Sequence, residues 1–369
     1  MRGHQANPWE LAPWQEHTIA DRFDVIFLRS RRGWFDVRSL ELSSRRTWTR
    51  RDLLPPGRLG DLLVRVPGDR YLRLAPALAD ADIVHSQELG YWYSMQAAKL
   101  KRRLGFRLVL TVWETIPMLD AYRNVRTRPY RAATLKQTDL FLAATERART
   151  ALLLEGATGG RIRVCAPGVA DPRSSSAVAV APGAPDPIIL SPGRLVWEKG
   201  HQDVVRALAL LRRGLLSSAP ASAARASIRI VGTGPERQRL ESYARELGVG
   251  DAVEFLGFVA HDEMLRLYRD AACVVLASLP TWSWEEQFGM VIAEAIAAGV
   301  PVAASTSGAI PEVAGDRARY FAPGDWPSLA QILSELLSQR AAPGPGPRHS
   351  LTDTAECLAA AYEELLSAA

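Results

Sequence analysis

Three short stretches in the second half of the chain combine residue types that can hold a ligand carrying both phosphates and hydroxyls. The first is Pro192-Gly193-Arg194-Leu195-Val196-Trp197-Glu198-Lys199-Gly200, directly after an apolar run. Two cations five residues apart in a glycine-bounded turn can grip a diphosphate: arginine supplies a bidentate fork and lysine a mobile point charge. The bland alternative is a helix-entry loop with exposed cations. The second is Glu286-Gln287-Phe288-Gly289-Met290-Val291-Ile292-Ala293-Glu294. Gly289 leaves backbone N–H groups uncovered where a helix begins, which is an anion site. Glu286 and Glu294 stand ~12 Å apart if that segment is helical, so they can bind hydroxyls at opposite ends of one ligand with its phosphates between them. Their ordinary readings are a helix-start acid favoured by the dipole and a surface helix residue. The surroundings of Glu294 (Ile292, Ala293, Ala297, Ala298) are too apolar for a bare surface. The third is Val231-Gly232-Thr233-Gly234-Pro235, a short turn after a strand that admits close backbone approach without a full dinucleotide fingerprint.

Alternating strands and helices must position these pieces. Strands are expected at 188–191, 228–231, 253–256, 273–277 and 301–305, with helices at 201–213, 236–247, 262–269 and 289–298. The Ser/Ala stretch 214–227 reads as a surface loop. The first half repeats the theme, with strands at 25–28, 83–84, 108–112, 140–143 and 162–164 and helices near 91–104, 129–137 and 145–154. Strands separated by 10–15-residue helices imply parallel sheets covered on both faces, whose ligands sit at the carboxyl ends of the strands. The fold class is therefore α/β, with two Rossmann-like domains facing a cleft. A Pro/Ser/Ala-rich linker at 172–187 sets the domains at 1–175 and 176–350. An amphipathic segment, 351–369, follows the loop 342–348 and is expected to dock back on the first domain as a helix.

Composition narrows the classes. Hydrophobic residues make up 47% and charged residues 23% of 369, which excludes a disordered or collagen-like chain. No run approaches ~18 apolar residues, so no spanning helix is expected. The start, residues 1–14, has no secretory apolar region. Cys165, Cys273 and Cys357 are far apart, form no metal or redox spacing and suit a reducing cytosol. Residues 1–180 hold 29 Lys and Arg against 18 Asp and Glu, and the remainder 16 against 22. A basic half suits nucleic acid, an anionic membrane or an anionic small molecule, or is simply a solvated surface. The acidic half disfavours nucleic acid. Asp80 and Asp82 precede a strand rather than end one, so they read as a strand entrance and not as a metal site. No metal is expected.

From Ser191 to about Gly315 the motifs, in order and spacing, resemble the donor domain of the retaining glycosyltransferases of family 4, which have the GT-B fold. They are G-R-L-x-x-x-K-G, V-G-x-G-P, L-G-F-V at 256–259, E-x7-E, A-x-G-V-P-V and G-x-I-P-E-V at 308–313. The resemblance is looser over 80–170. It implies that Arg194 and Lys199 bind the donor diphosphate and Glu286 the sugar hydroxyls. Backbone near Phe288, Gly289 and Met290 would contact sugar and phosphate, and Glu294 the ribose. Gly232 and Gly234 would border the nucleotide, and Gly257, Phe258 and Val259 would meet the base.

The first half departs from that pattern. The chain begins Met1-Arg2-Gly3-His4-Gln5-Ala6-Asn7, which looks like the family's Gly-rich loop itself, so the strand before it is expected to be missing or degenerate. Trp113 stands where relatives carry a histidine, followed by Glu114. These two, with His4, Asn7 and His85, are the candidate sugar or acceptor residues, and Glu114 joins Glu286, Arg194 and Lys199 as a candidate catalytic group. A core Trp113, a loop acid at Glu114 and a structural His85 are the alternatives. The resemblance implies transfer, with retention and without metal or other cofactor, of a sugar from a UDP- or GDP-sugar to an acceptor hydroxyl. The acceptor is a glycan, glycolipid or small molecule. Expected settings are cell-surface polysaccharide or glycolipid assembly, in the cytoplasm, with peripheral membrane contact through the basic half. A natural-product glycosyltransferase, a nucleotide-sugar epimerase and a non-catalytic binder are the rivals.

Overall fold

The computed structural model describes the chain except residues 2, 4, 5, 34, 56, 66, 67, 120–126, 172–185, 218, 339–345, 368 and 369. His4 and most of the expected linker therefore lie outside the described residues. Two compact units divide the chain: Met1–Gly168 with His349–Ala369, and Val169–Arg348.

In the first unit β1 (Ile26–Ser30) pairs in parallel with β2 (Ser43–Thr47). A separate parallel sheet runs in the order β3 (Ile83–Gln87), β4 (Arg107–Val112), β5 (Leu140–Ala143) and β6 (Ile162–Val164). All four residues of β5 are buried, as befits a strand covered on both faces. On one face Val109, Leu140 and Leu142 pack against Leu358 and Tyr362 of the C-terminal helix, Leu351–Ser367. The expected docking of that helix is thus seen. On the other, Leu110, Val112 and Phe141 meet Leu152 of the helix Glu146–Leu154.

β1 and β3 do not pair with each other. At their carboxyl ends the first residues reach both: Gly3 bridges Arg29 in parallel, and the Met1 amine donates to the His85 carbonyl at 2.6 Å. Behind this mouth lies a cavity of about 370 Å³, lined by Phe27, Val84, His85, Leu358 and Tyr362 among others. Among the described residues no strand precedes Pro8. β2 was not expected either: its sequence, Ser-Ser-Arg-Arg-Thr, is largely exposed and carries no apolar alternation, so periodicity is blind to it.

The second unit has one six-stranded parallel sheet. Its order is β12 (Ala318–Phe321), β11 (Val302–Ser305), β10 (Cys273–Leu276), β7 (Ile188–Pro192), β8 (Ser227–Val231) and β9 (Val253–Gly257). Successive residues face opposite cores. Ile189, Ile228 and Val275 join Val204 and Leu208 of the helix His201–Arg212. Leu190, Val274 and Leu276 join Ile292 and Ile296 of the helix Met290–Ala297. The stretch read as a plain loop contains a short 3-10 turn, Ala221–Arg225, whose Ala223 is buried. Among the described residues no helix is long and apolar enough to cross a membrane.

Candidate active site

The second unit gathers its charged motifs in the loops that follow β7 and β10. The chain leaves β7 through Gly193, whose amide donates to the Val231 carbonyl at 2.8 Å, and Leu195 donates to Thr233 at 3.0 Å. These bonds tie the Arg194 loop to the Gly232–Gly234 turn after β8. Arg194 is exposed. Beneath it His201 is buried, with Nδ1 accepting from Ser191 Oγ at 2.9 Å and Nε2 donating to the Arg194 carbonyl at 3.2 Å. Burial pulls the His201 pKa down to about 4, so the ring is neutral and its bonds fix the tautomer.

Lys199 and Glu286 meet head to head, Nζ to Oε2 at 2.6 Å, with side chains 14% and 10% exposed. Ser278 Oγ donates to the same carboxylate oxygen at 2.7 Å, and the Lys199 ammonium lies 4.9 Å from the centre of the Trp284 ring. Two glycines make this meeting sterically feasible. Gly200 has φ 69°, and a Cβ there would lie 1.8 Å from the Ala277 carbonyl oxygen. Gly308 has φ 57°, and a Cβ would lie 2.1 Å from the Glu286 carbonyl oxygen. Any side chain at either place would push the lysine or glutamate loop out of position.

Gly289, with φ 87°, begins the helix Met290–Ala297 and supplies no side-chain cap. The amides of Met290 and Val291 therefore stand at the positive end of the helix dipole, while that of Ile292 donates to the Gly289 carbonyl at 2.8 Å. Phe288 is buried beside it. Along the same helix Glu294 accepts from the Tyr268 hydroxyl at 2.8 Å. Burial raises the Glu294 pKa against that bond, and raises the Tyr268 phenol as well. Gly257 accepts from the Gly232 amide at 2.7 Å, and Phe258 beyond it is exposed. The structure thus brings Lys199 and Glu286 into contact, binds the Arg194 loop to the glycine turn and carries Glu294 on the helix that Gly289 starts. Sequence reasoning missed Ser278, Trp284 and His201. Each is a single residue without a repeat or spacing, and only the tertiary fold shows what it touches.

In the first unit the candidates are engaged by their own surroundings. Asn7 is buried and caps the helix Pro8–Leu11 by accepting from the Glu10 amide at 2.9 Å. His85 holds Tyr362 Oη at 2.6 Å through Nδ1 and Thr111 Oγ1 at 2.8 Å through Nε2. The Tyr362 hydroxyl also accepts from Trp14 Nε1 at 3.0 Å. Trp113 lies edge-on to Trp9 at 6.2 Å, and its amide donates to Glu88 at 2.7 Å. Both His85 and Trp113 line the cavity between β1 and β3. Glu114 accepts from the amides of Thr115 and Ile116 at 3.0 and 2.9 Å, the geometry of a carboxylate closing its own turn. Asp80 pairs with Arg45 at 2.8 Å, and among the described residues no His, Cys and carboxylate group has the arrangement of a metal site.

Two family models match the chain. The family model for glycosyl transferases group 1 matches residues 178–356, and that for glycosyltransferase family 4 matches residues 8–172. A D-inositol 3-phosphate glycosyltransferase of Mycolicibacterium smegmatis is 29% identical over 317 residues, covering 78% of this chain and 68% of that protein. An uncharacterized glycosyltransferase of Methanocaldococcus jannaschii is 38% identical over 127 residues, covering 34% of this chain and 29% of that protein. Among solved structures, HepE of Anabaena in complex with UDP superposes with TM-score 0.69 at 18% identity, over 100% of this chain and 99% of that one. Sucrose-phosphate synthase of Thermosynechococcus elongatus gives TM-score 0.70 at 20% identity, over 98% and 92%. Taken with two parallel-sheet units and the motif order, these matches place the chain among the group 1 and family 4 glycosyltransferases of GT-B fold.

Proposed function

We propose that this chain is a hexosyltransferase that moves a sugar from a nucleotide-sugar to an acceptor hydroxyl with retention and without a metal. The observation that carries the reading is the contact of Lys199 with Glu286 in the loops that follow β7 and β10. A lysine suited to phosphate beside a carboxylate suited to sugar hydroxyls supports that reading. The exposed Arg194 and the uncapped start of the helix Met290–Ala297 add further positive potential. The anomeric carbon–oxygen bond breaks through an oxocarbenium-like state, and its electron pair stays on the departing diphosphate. Arg194, Lys199 and the helix-start amides stabilise that growing charge. The acceptor oxygen bonds to the anomeric carbon on the face the diphosphate leaves, and its proton passes to a diphosphate oxygen. Glu286 orients the sugar, Glu294 binds the ribose and backbone at Gly257–Val259 borders the base. Structural relatives solved with UDP and UDP-glucose support a nucleotide-sugar donor.

Calorimetry with UDP, GDP and ADP tests the reading. One of them binds the wild-type chain and binds Lys199→Ala far more weakly; no affinity for any nucleoside diphosphate would remove the proposal. Assembly of a cell-surface polysaccharide or glycolipid, in the cytoplasm and in contact with the membrane, is the setting we favour from the basic first half. A soluble natural-product acceptor is the second reading, supported by a 2-deoxystreptamine glucosyltransferase of Streptomyces kanamyceticus at 28% identity over 245 residues. An epimerase would instead form product with no acceptor present.

A further inference from the structure

The segment from Trp48 to Arg73 exposes large apolar side chains in one connected piece of the first unit. Leu53, Leu59 and Leu62 are 63%, 60% and 61% exposed, and Leu63, Leu72 and Trp48 are also open to solvent. Leu59, Leu62 and Leu63 follow the i, i+3, i+4 spacing of one helical face on Arg58–Arg65. Hydrogen bonds tie the parts together. The Leu72 amide donates to the Trp48 carbonyl at 2.9 Å and the Arg50 amide to Arg70 at 3.0 Å. The Arg51 guanidinium donates to the Pro55 and Gly57 carbonyls at 2.7 and 3.2 Å, which binds the loop to the helix start. Neighbouring exposed apolar side chains on a protein surface mark an interaction site.

Exposed arginines border it. Arg31 lies 4.4 Å from the centre of the Trp48 ring, Arg32 donates to the Leu54 carbonyl at 3.2 Å, and both are exposed, as is Arg73. Of the three acids in residues 48–73, Asp61 on the helix lies outside the described side chains, and the other two are turned inward. Asp52 and Asp69 are each 3% exposed. Asp52 accepts from the amides of Arg32 and Thr49 at 2.7 and 2.8 Å, and Asp69 from that of Arg51 at 2.7 Å. Leucines on a short amphipathic helix, an interfacial tryptophan and a rim of arginine match the boundary between acyl chains and anionic headgroups. They match a protein partner less well, since leucine is under-represented among the residues that dominate such interfaces.

We infer that Trp48, Leu53, Leu59, Leu62, Leu63 and Leu72 form a docking surface for an anionic lipid membrane, with Leu59, Leu62 and Leu63 entering the acyl boundary and Arg31, Arg32 and Arg73 meeting headgroups. This gives residues to the membrane contact proposed above, yet its test is independent of donor binding. The chain is sedimented with phosphatidylcholine vesicles, with and without ~30% phosphatidylglycerol, at low salt and at ~0.15 M. Wild type binds the anionic vesicles and loses affinity as salt rises. The triple variant Leu59→Ser, Leu62→Ser, Leu63→Ser binds about tenfold more weakly or worse, while its melting temperature and nucleoside diphosphate affinity stay those of wild type. Arg32→Glu with Arg73→Glu weakens binding to anionic vesicles alone. Brominated lipids quench a part of the emission that Trp48→Phe removes. Absence of wild-type binding at low salt, or equal binding by the leucine variant, would overturn the inference. So would self-association through these leucines with no vesicle binding, which would assign the face to a second copy.

Discussion

In the second unit six parallel strands make one sheet, whereas in the first β1–β2 and β3–β6 stay apart around a cavity of about 370 Å³. The candidate residues differ in the same way. In the second unit Arg194 stands exposed on a loop that other groups hold, and Lys199 and Glu286 pair with each other. In the first unit Asn7, His85 and Glu114 each satisfy neighbours within their own fold. A polar residue after a strand is therefore weak evidence of function until its partners are known.

That contrast can be broken or sharpened by mutation. The largest effect is expected at Lys199: Lys199→Ala lowers kcat by ~10²-fold or more, as does loss of a preorganised stabilising donor elsewhere, measured as nucleoside diphosphate release with acceptor. Turnover near wild type would dissolve the distinction between the units.

The next effect is in pH dependence. His201 has a pKa of about 4 in the fold against 6.5 unfolded, so below 6.5 the unfolded chain binds more protons. Its neutral burial favours the fold fully above pH 6.5, and that contribution is lost as pH falls toward 4. The difference is about 3 kcal/mol. Thermal melts of His201→Gln should fall less steeply than wild type across that window; parallel curves would show that the ring does not act there.

Tyr362→Phe in the first unit should cost about 1–2 kcal/mol of stability, because it leaves Trp14 Nε1 and His85 Nδ1 without the hydroxyl. Denaturant unfolding measures it, with nucleoside diphosphate affinity unchanged. A loss of affinity instead would give this cluster a part in binding. The smallest effect belongs to Trp284: removing its contact with the Lys199 ammonium is worth about 0.5–1 kcal/mol. Trp284→Ala should therefore turn over a few-fold more slowly, and Trp284→Phe should recover most of that loss.

The sequence alone determined the alternation of strands and helices, the likeness to a GT-B transferase and the identity of the motif residues in the second unit. Apolar period and glycine position are local properties, and buried parallel strands such as Leu140–Ala143 show them plainly. Contacts between segments distant in the chain were decided only by the tertiary structure. It brought Ser278, Trp284 and the carbonyls opposed by Gly200 and Gly308 to the Lys199–Glu286 pair. It buried His201 under the Arg194 loop and gave His85 to Tyr362, 277 positions away. It also formed the polar strand β2, whose residues carry no apolar signal and pair only because β1 lies beside them. The physical reason is common to all of these: a side chain's partner depends on which loops the sheet order brings together, and no local spacing encodes that order.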